Sequence, residues 1–482
     1  MKRLLSIIAV LVLALSANVV SAQSRNSYFM EGSYFRTDMN PALAPTRGYV
    51  ALPGMSGVGV DIPSNFLSID NFIYQKDNQM VSAFHGSVTA DEFLGKLPDT
   101  GRLGVNANVN VLGVGFYAGK MYWNFGARVR SNTDVTISKD LFSALKTLGN
   151  GTYDLSNTNI SSNSYLETYV GTSFPIGKHV NLGVRAKFLV GVLNLHTEFD
   201  KVEAVVGRES VAAQLRGKVV ANSIFVDQSR IRAGEAFSTD MLVFNDVSML
   251  LNNAKSFGAA LDLGLELKFC RDHLKISAAV TDLGFIKWKA MTNYSASANA
   301  DLRFDGFNLQ TGEANTKAEF EMFTDKPSAE DYRTALNASL NVGVEYNFLR
   351  NHFAIGLMSH TEFIGKQIYS ELTASLNIRA TNWISATVSH TFLANNKLGV
   401  LGAAINFHPR VLNIFIGADF IDTRYGRYGN IPVPRYQNSF NVYAGVGFNF
   451  ARPKFMREAV KDVRMTKAER KAERLSKRYS AN

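Results

Sequence analysis

The chain has 482 residues, 46% hydrophobic, 11% aromatic and 19% charged, with a mean hydropathy of −0.04. That is too apolar and aromatic for a disordered chain, and its single cysteine excludes an internal disulfide or a Cys-cluster zinc site. The formal charge of +10 sits at the ends, with +2 on residues 1–22, +7 on residues 451–482 and only +1 on the body, so no basic nucleic-acid face is implied.

Lys2-Arg3, the apolar stretch Leu4 to Leu15 and the small residues Val20-Ser21-Ala22 follow one another in the order of a cleavable export signal. This places the mature start at Gln23, with residues 1–22 removed. Beyond it no apolar run approaches the ~18 residues of a membrane helix. Residues 23–54 are too irregular to be a membrane strand and contain Asn40-Pro41-Ala42.

From residue 55 the chain is written in period two. Met121, Trp123, Phe125, Ala127 and Val129 oppose Tyr122, Asn124, Gly126, Arg128 and Arg130. Val180 to Val190 alternates in the same way against Asn181, Gly183, Arg185 and Lys187. The clearest run sets Phe257, Ala259, Leu261, Leu263, Leu265, Leu267 and Phe269 against Gly258, Ala260, Asp262, Gly264, Glu266 and Lys268. Leu336 to Phe348 repeats the pattern, with Leu340, Val342 and Val344 opposite Asn341, Gly343 and Glu345. Side chains on a strand alternate faces, so one face is apolar and the other polar or small. These runs outlast the ~5–6 residues typical of soluble strands, and a tilted membrane strand needs about 9–11. No charge interrupts the apolar faces, as contact with lipid requires.

Short turns follow Tyr117, Phe174, Phe269, Phe348, Ile378 and Phe407, which makes six hairpins and twelve strands. Ser439 to Phe450 adds one, and Met55 to Asp61 closes the ring against it. The expected fold is therefore all-β, a transmembrane antiparallel up-and-down barrel of about fourteen strands over residues 55–450. Longer connections at 62–101, 136–163, 200–255, 289–331 and 420–437 lie on the opposite rim, the asymmetry of a barrel with short periplasmic turns. The aromatics that end the strands read as the periplasmic girdle. Two helices are expected in the loops, one opened by the capping box Thr89-Ala90-Asp91-Glu92 and one over Ser138 to Leu148. At Val111-Leu112-Gly113-Val114 the apolar parity flips as at a bulge, a place for a gap between strands.

Residues 451–482 form a basic, helix-prone periplasmic tail with Met456, Val460 and Val463 at helical spacing. On the lumen parity lie Arg128, Arg130, Arg185 and Lys187, candidate contacts for the carboxylate of an amphipathic ligand, together with Asp262, Glu266, Lys268, Glu345, His360 and Glu362. The signs are mixed, so pairing across the lumen competes with that role. The eight histidines and scattered serines show no catalytic triad or metal spacing. Neither an enzyme, a cofactor nor a metal is expected.

A signal sequence, Asn40-Pro41-Ala42 and a fourteen-strand pattern together resemble the FadL-type outer-membrane barrels and their PorV-like relatives. The resemblance implies a hatch at residues 23–54, with Asn40, Pro41 and Ala42 as its motif. It also implies a channel for hydrophobic or amphipathic molecules or, on the PorV-like side, a structural or secretion-associated barrel that docks protein partners. Gly445, Phe448 and Phe450 are similar to the terminal signal read by the barrel-assembly machinery, although 32 residues follow Phe450. The implied surroundings are outer-membrane lipid, with both chain ends in the periplasm.

Overall fold

The computed structural model describes residues 25–450 except 54–56, 77–78, 148–151, 156, 207–210, 231–242, 271, 290–292, 308–313, 325–330, 366, 394–395, 422–423, 429–430 and 435–438, together with residues 452–458 and four isolated positions beyond. The export signal and most of the tail, including Val460 and Val463, lie outside the described residues.

Fourteen strands close into one antiparallel ring. They are β1 (Tyr49–Ala51 and Val58–Ile62), β2 (Thr100–Ala118), β3 (Met121–Ser138), β4 (Asn159–Ile176), β5 (Val180–Val206), β6 (Phe257–Phe269), β7 (Leu274–Trp288) and β8 (Ala338–Phe348). The ring continues through β9 (Phe353–Ile364), β10 (Gln367–Ile378), β11 (Ile384–Leu393), β12 (Asn396–Phe407), β13 (Leu412–Ile421) and β14 (Phe440–Asn449). Each strand pairs with the next, and β1 joins the two ends: Tyr49 lies opposite Asn449 of β14 and Gly115 of β2, Val58 opposite Ala444 and Val109. Closure gives every described strand of the ring a partner on both sides, as a bilayer requires.

Alternation decides which way each side chain faces. Leu263 and Val342 are 43% and 39% exposed on the outer face, whereas their neighbours Asp262 and Asn341 are 0% exposed in the lumen. This is the reverse of a soluble domain, with apolar side chains outside and charge inside. The six expected turns fall where the residues favour them, and Gly119 (φ 62°) and Gly177 (φ 68°) take the left-handed conformation that two of them need.

Two details differ from the sequence reading. Ladder pairing begins at Tyr49, upstream of Met55, and three paired residues are too few to display a period. Tyr117 points inward rather than into an outer girdle. The cause is the predicted parity flip, because the register of β2 against β3 shifts between Asn110 and Leu112. Phe116 therefore faces outward, stacked on Phe125 at 6.0 Å, while the Tyr117 hydroxyl donates to the Pro45 carbonyl (2.6 Å).

On the long-loop rim, helices Ala90–Leu94 and Lys139–Thr147 stand where expected, the first with the Glu92 amide donating to Thr89 Oγ1 (3.2 Å). Phe142 of the second packs against Phe66, Phe72 and Phe93, forming an apolar cap beside the barrel mouth. Strand β5 runs on past the barrel wall and pairs with Val211–Ser223, which pairs with Asn293–Phe307 and through it with Ala314–Thr324.

Candidate functional site

Residues 25–48 thread the lumen as a short 3-10 turn (Arg25–Ser27), a helical turn (Arg36–Met39) and connecting loops, almost all of it buried. Sequence alone gives these elements little reason to form, since four residues are far short of a self-sufficient helix. The barrel wall holds them instead. Asn341 Nδ2 donates to the Met39 carbonyl (2.9 Å), Asn413 Nδ2 to the Gly32 carbonyl (3.0 Å) and Arg379 Nη2 to the Phe29 carbonyl (3.1 Å).

Asn40-Pro41-Ala42 is the tightest point of this contact. Asn40 Oδ1 accepts from the Ala42 amide (2.9 Å), closing an Asx turn. Its Nδ2 reaches Tyr28 Oη (3.3 Å) and the carbonyls of Leu265 and Ala278 (3.4 Å each). Asn181 and Ser173 of the wall both donate to the Ala42 carbonyl. The loop fits because Gly183 and Gly264, directly opposite each other in the β5–β6 register, carry no side chain; a β-carbon on either would strike it.

Buried ion pairs add three further clamps. Near one end, Arg25 pairs with Glu371 and Asn26 donates to Asp419. Glu31 pairs with Lys275 (2.5 Å) and approaches Arg379 (3.8 Å). Asp38 binds Arg185 (2.8 Å) and Arg128 (3.2 Å). Glu31 is drawn two ways: burial pushes its carboxyl up, but the charges of Arg379 and Lys275 together outweigh burial and hold it well below the usual value.

The four candidate cations are thus all partnered. Arg128 meets Glu167 (2.6 Å), Arg130 meets Asp282 (2.8 Å), and Lys187 lies 2.6 Å from both Asp262 and Asp282. With Arg185 on Asp38 this forms a compact layer of four cations and four carboxylates across the lumen. The alternation alone misses Asp282, which shares its parity with outward Val280. A register shift opposite Asp262 turns both Thr281 and Asp282 inward, with Asp282 at φ 61° and its amide donating to Asp262 Oδ1 (2.7 Å). Glu167, by contrast, carries the same lumen parity as the cations and is fully buried.

Beside this layer the two described runs of β1, Tyr49–Ala51 and Val58–Ile62, pair with β2 on either side of its bulge. Phe35 of the lumen segment fills the space behind, against Gly57 and Gly445. A small cavity there is lined by Phe35, Asp38, Val58, Asn108, Arg128 and Tyr443 among others. Of the terminal-strand residues, Gly445 therefore faces Phe35, while Phe448 and Phe450 stand exposed on the outside.

Fold and lumen together define a closed membrane-spanning β-barrel whose bore is occupied by its own N-terminal segment. The chain belongs to DUF5723, a family of unknown function whose model matches residues 41–419. No curated protein matches the sequence. Similar solved structures include the toluene transporter TbuX of Ralstonia pickettii (8% identity over 87% of this chain and 94% of that one, TM-score 0.41). A FadL homologue of Pseudomonas aeruginosa (8% identity, 90% and 99%, TM-score 0.41) and the toluene transporter TodX of Pseudomonas putida (10% identity, 90% and 95%, TM-score 0.36) are also similar. These likenesses are remote, and the fold rests on the strand pairing itself.

Proposed function

We propose that the protein is an outer-membrane channel that passes hydrophobic or amphipathic small molecules around a hatch formed by residues 23–54. In this reading residues 1–22 direct export, the short turns and both chain ends face the periplasm, and Gly445, Phe448 and Phe450 belong to the signal for barrel assembly. The observation that carries the proposal is the lumen cavity between hatch and wall, lined by Phe35 and Asp38 of the hatch and by Val58, Asn108 and Arg128 of the barrel. Withdrawal of Asp38 would leave Arg128 and Arg185 able to meet a passenger's charged head, the role expected of them from sequence.

Uptake of the hydrophobic dye N-phenyl-1-naphthylamine by cells producing the protein tests this. Asp38→Ala removes the hatch's hold on Arg128 and Arg185 and is expected to raise uptake several-fold over wild type, with Phe35→Ala adding to it. Equal uptake by wild type, both variants and cells lacking the protein contradicts the proposal. A gentle preparation carrying a stoichiometric protein partner and no small molecule would favour the docking reading instead.

A further inference from the structure

Among the described residues, one buried arginine of the lumen forms no ion pair within 4 Å of a carboxylate. Arg36 opens the helical turn of the N-terminal segment and is 4% exposed, yet its Nε lacks a hydrogen-bond partner. The other six buried arginines among the described residues, Arg25, Arg102, Arg128, Arg130, Arg185 and Arg379, each meet a carboxylate. A buried guanidinium without a direct hydrogen-bonded partner is costly to keep. Arg36 lines a cavity of about 170 Å³ between the N-terminal segment and the short-turn rim. The carboxylates of Glu31 and Glu266 share that cavity but are already held by Lys275 and Lys268. Lys120, Lys178 and Asp272 stand at its edge, so positive charge remains in excess.

The rest of the lining mixes the polar Thr46, Ser173, Asn181 and Asn351 with an apolar wall that comes partly from the far end of the chain. Phe455 meets the Tyr117 ring edge-on at 5.4 Å, and Met456 lies beside it. Arg452 ties this stretch to the N-terminal segment through Thr46 Oγ1 (3.4 Å). Anionic recognition and an apolar wall therefore converge in one chamber, and an apolar cavity of about 150 Å³ is enough for a single aromatic ring.

We propose that this chamber is a binding site for an amphipathic carboxylate, with the carboxylate on Arg36 and the apolar body against Tyr117, Phe455 and Met456. The site requires no passage through the bore, so its test is separate from that of transport. Full-length protein in nanodiscs of zwitterionic lipid is titrated with phenylacetate and with its uncharged analogue 2-phenylethanol. Wild type is expected to bind phenylacetate at least tenfold more tightly, and Arg36→Met to bring the two affinities together. Equal binding of acid and alcohol by wild type overturns the proposal without recourse to any variant. Retention of the acid preference by Arg36→Met overturns it as well.

Discussion

At the scale of single residues, the lumen shows why small side chains and charges matter more here than apolar ones. Gly183 and Gly264 exist as a slot for Asn40-Pro41-Ala42, and overpacking a fitted site typically costs about 1–3 kcal/mol. Gly183→Val is therefore expected to lower stability by about that amount and to leave the N-terminal segment open to protease, with the barrel still resistant. Gly86→Val is the control, because nothing lies within 4 Å of a β-carbon there. Glu31 makes a second prediction. Its carboxyl is depressed in the folded protein, so it contributes stability above its ordinary value of 4.5 and loses it as pH falls below that value. Amide hydrogen exchange in residues 25–48 should accelerate on acidification through this range, and Glu31→Gln should flatten that dependence. A pH dependence unchanged by Glu31→Gln would remove Glu31 from the clamp.

At the scale of elements, alternation is what made the barrel legible. Runs such as Phe257 to Phe269 state their two faces residue by residue, and the six short turns are marked by aromatics and turn formers. The lipid-facing assignment predicts that Leu263→Arg costs about 2–4 kcal/mol if Leu263 sits near the bilayer midplane. Equilibrium unfolding in phospholipid vesicles would measure it, and a cost no larger than that of Leu263→Ala would contradict the assignment. What sequence concealed were the places where alternation breaks. A bulge at Val111 sends Tyr117 inward, another turns Asp282 into the charged layer, and the three residues of β1 at Tyr49–Ala51 are too short to read. The Val111 flip was visible as a change of parity. The Asp282 bulge was not, because its neighbours Val280 and Leu283 look apolar on either phase.

At the scale of the whole molecule, the N-terminal segment and the wall depend on each other. Its clamps sit at Arg25, Glu31, Asp38 and Asn40, and each engages a different part of the ring: β10, β7, β3 with β5, and β6 with β7. None of these partners is evident from spacing, since the residues are separated by 90 positions or more and come together only when the ring closes. The wall alone is of intermediate bore: eight strands are filled by side chains, whereas ~16–18 leave an aqueous channel. Closure of fourteen strands is thus assigned to residues 25–48 rather than to the barrel. Ion conductance in planar bilayers measures this directly, with wild type compared against a chain lacking residues 25–48 that is shown to be folded by heat-modifiable gel mobility. The account predicts a silent wild type and a steadily conducting deletion. Equal conductance from both, open or silent, would contradict it.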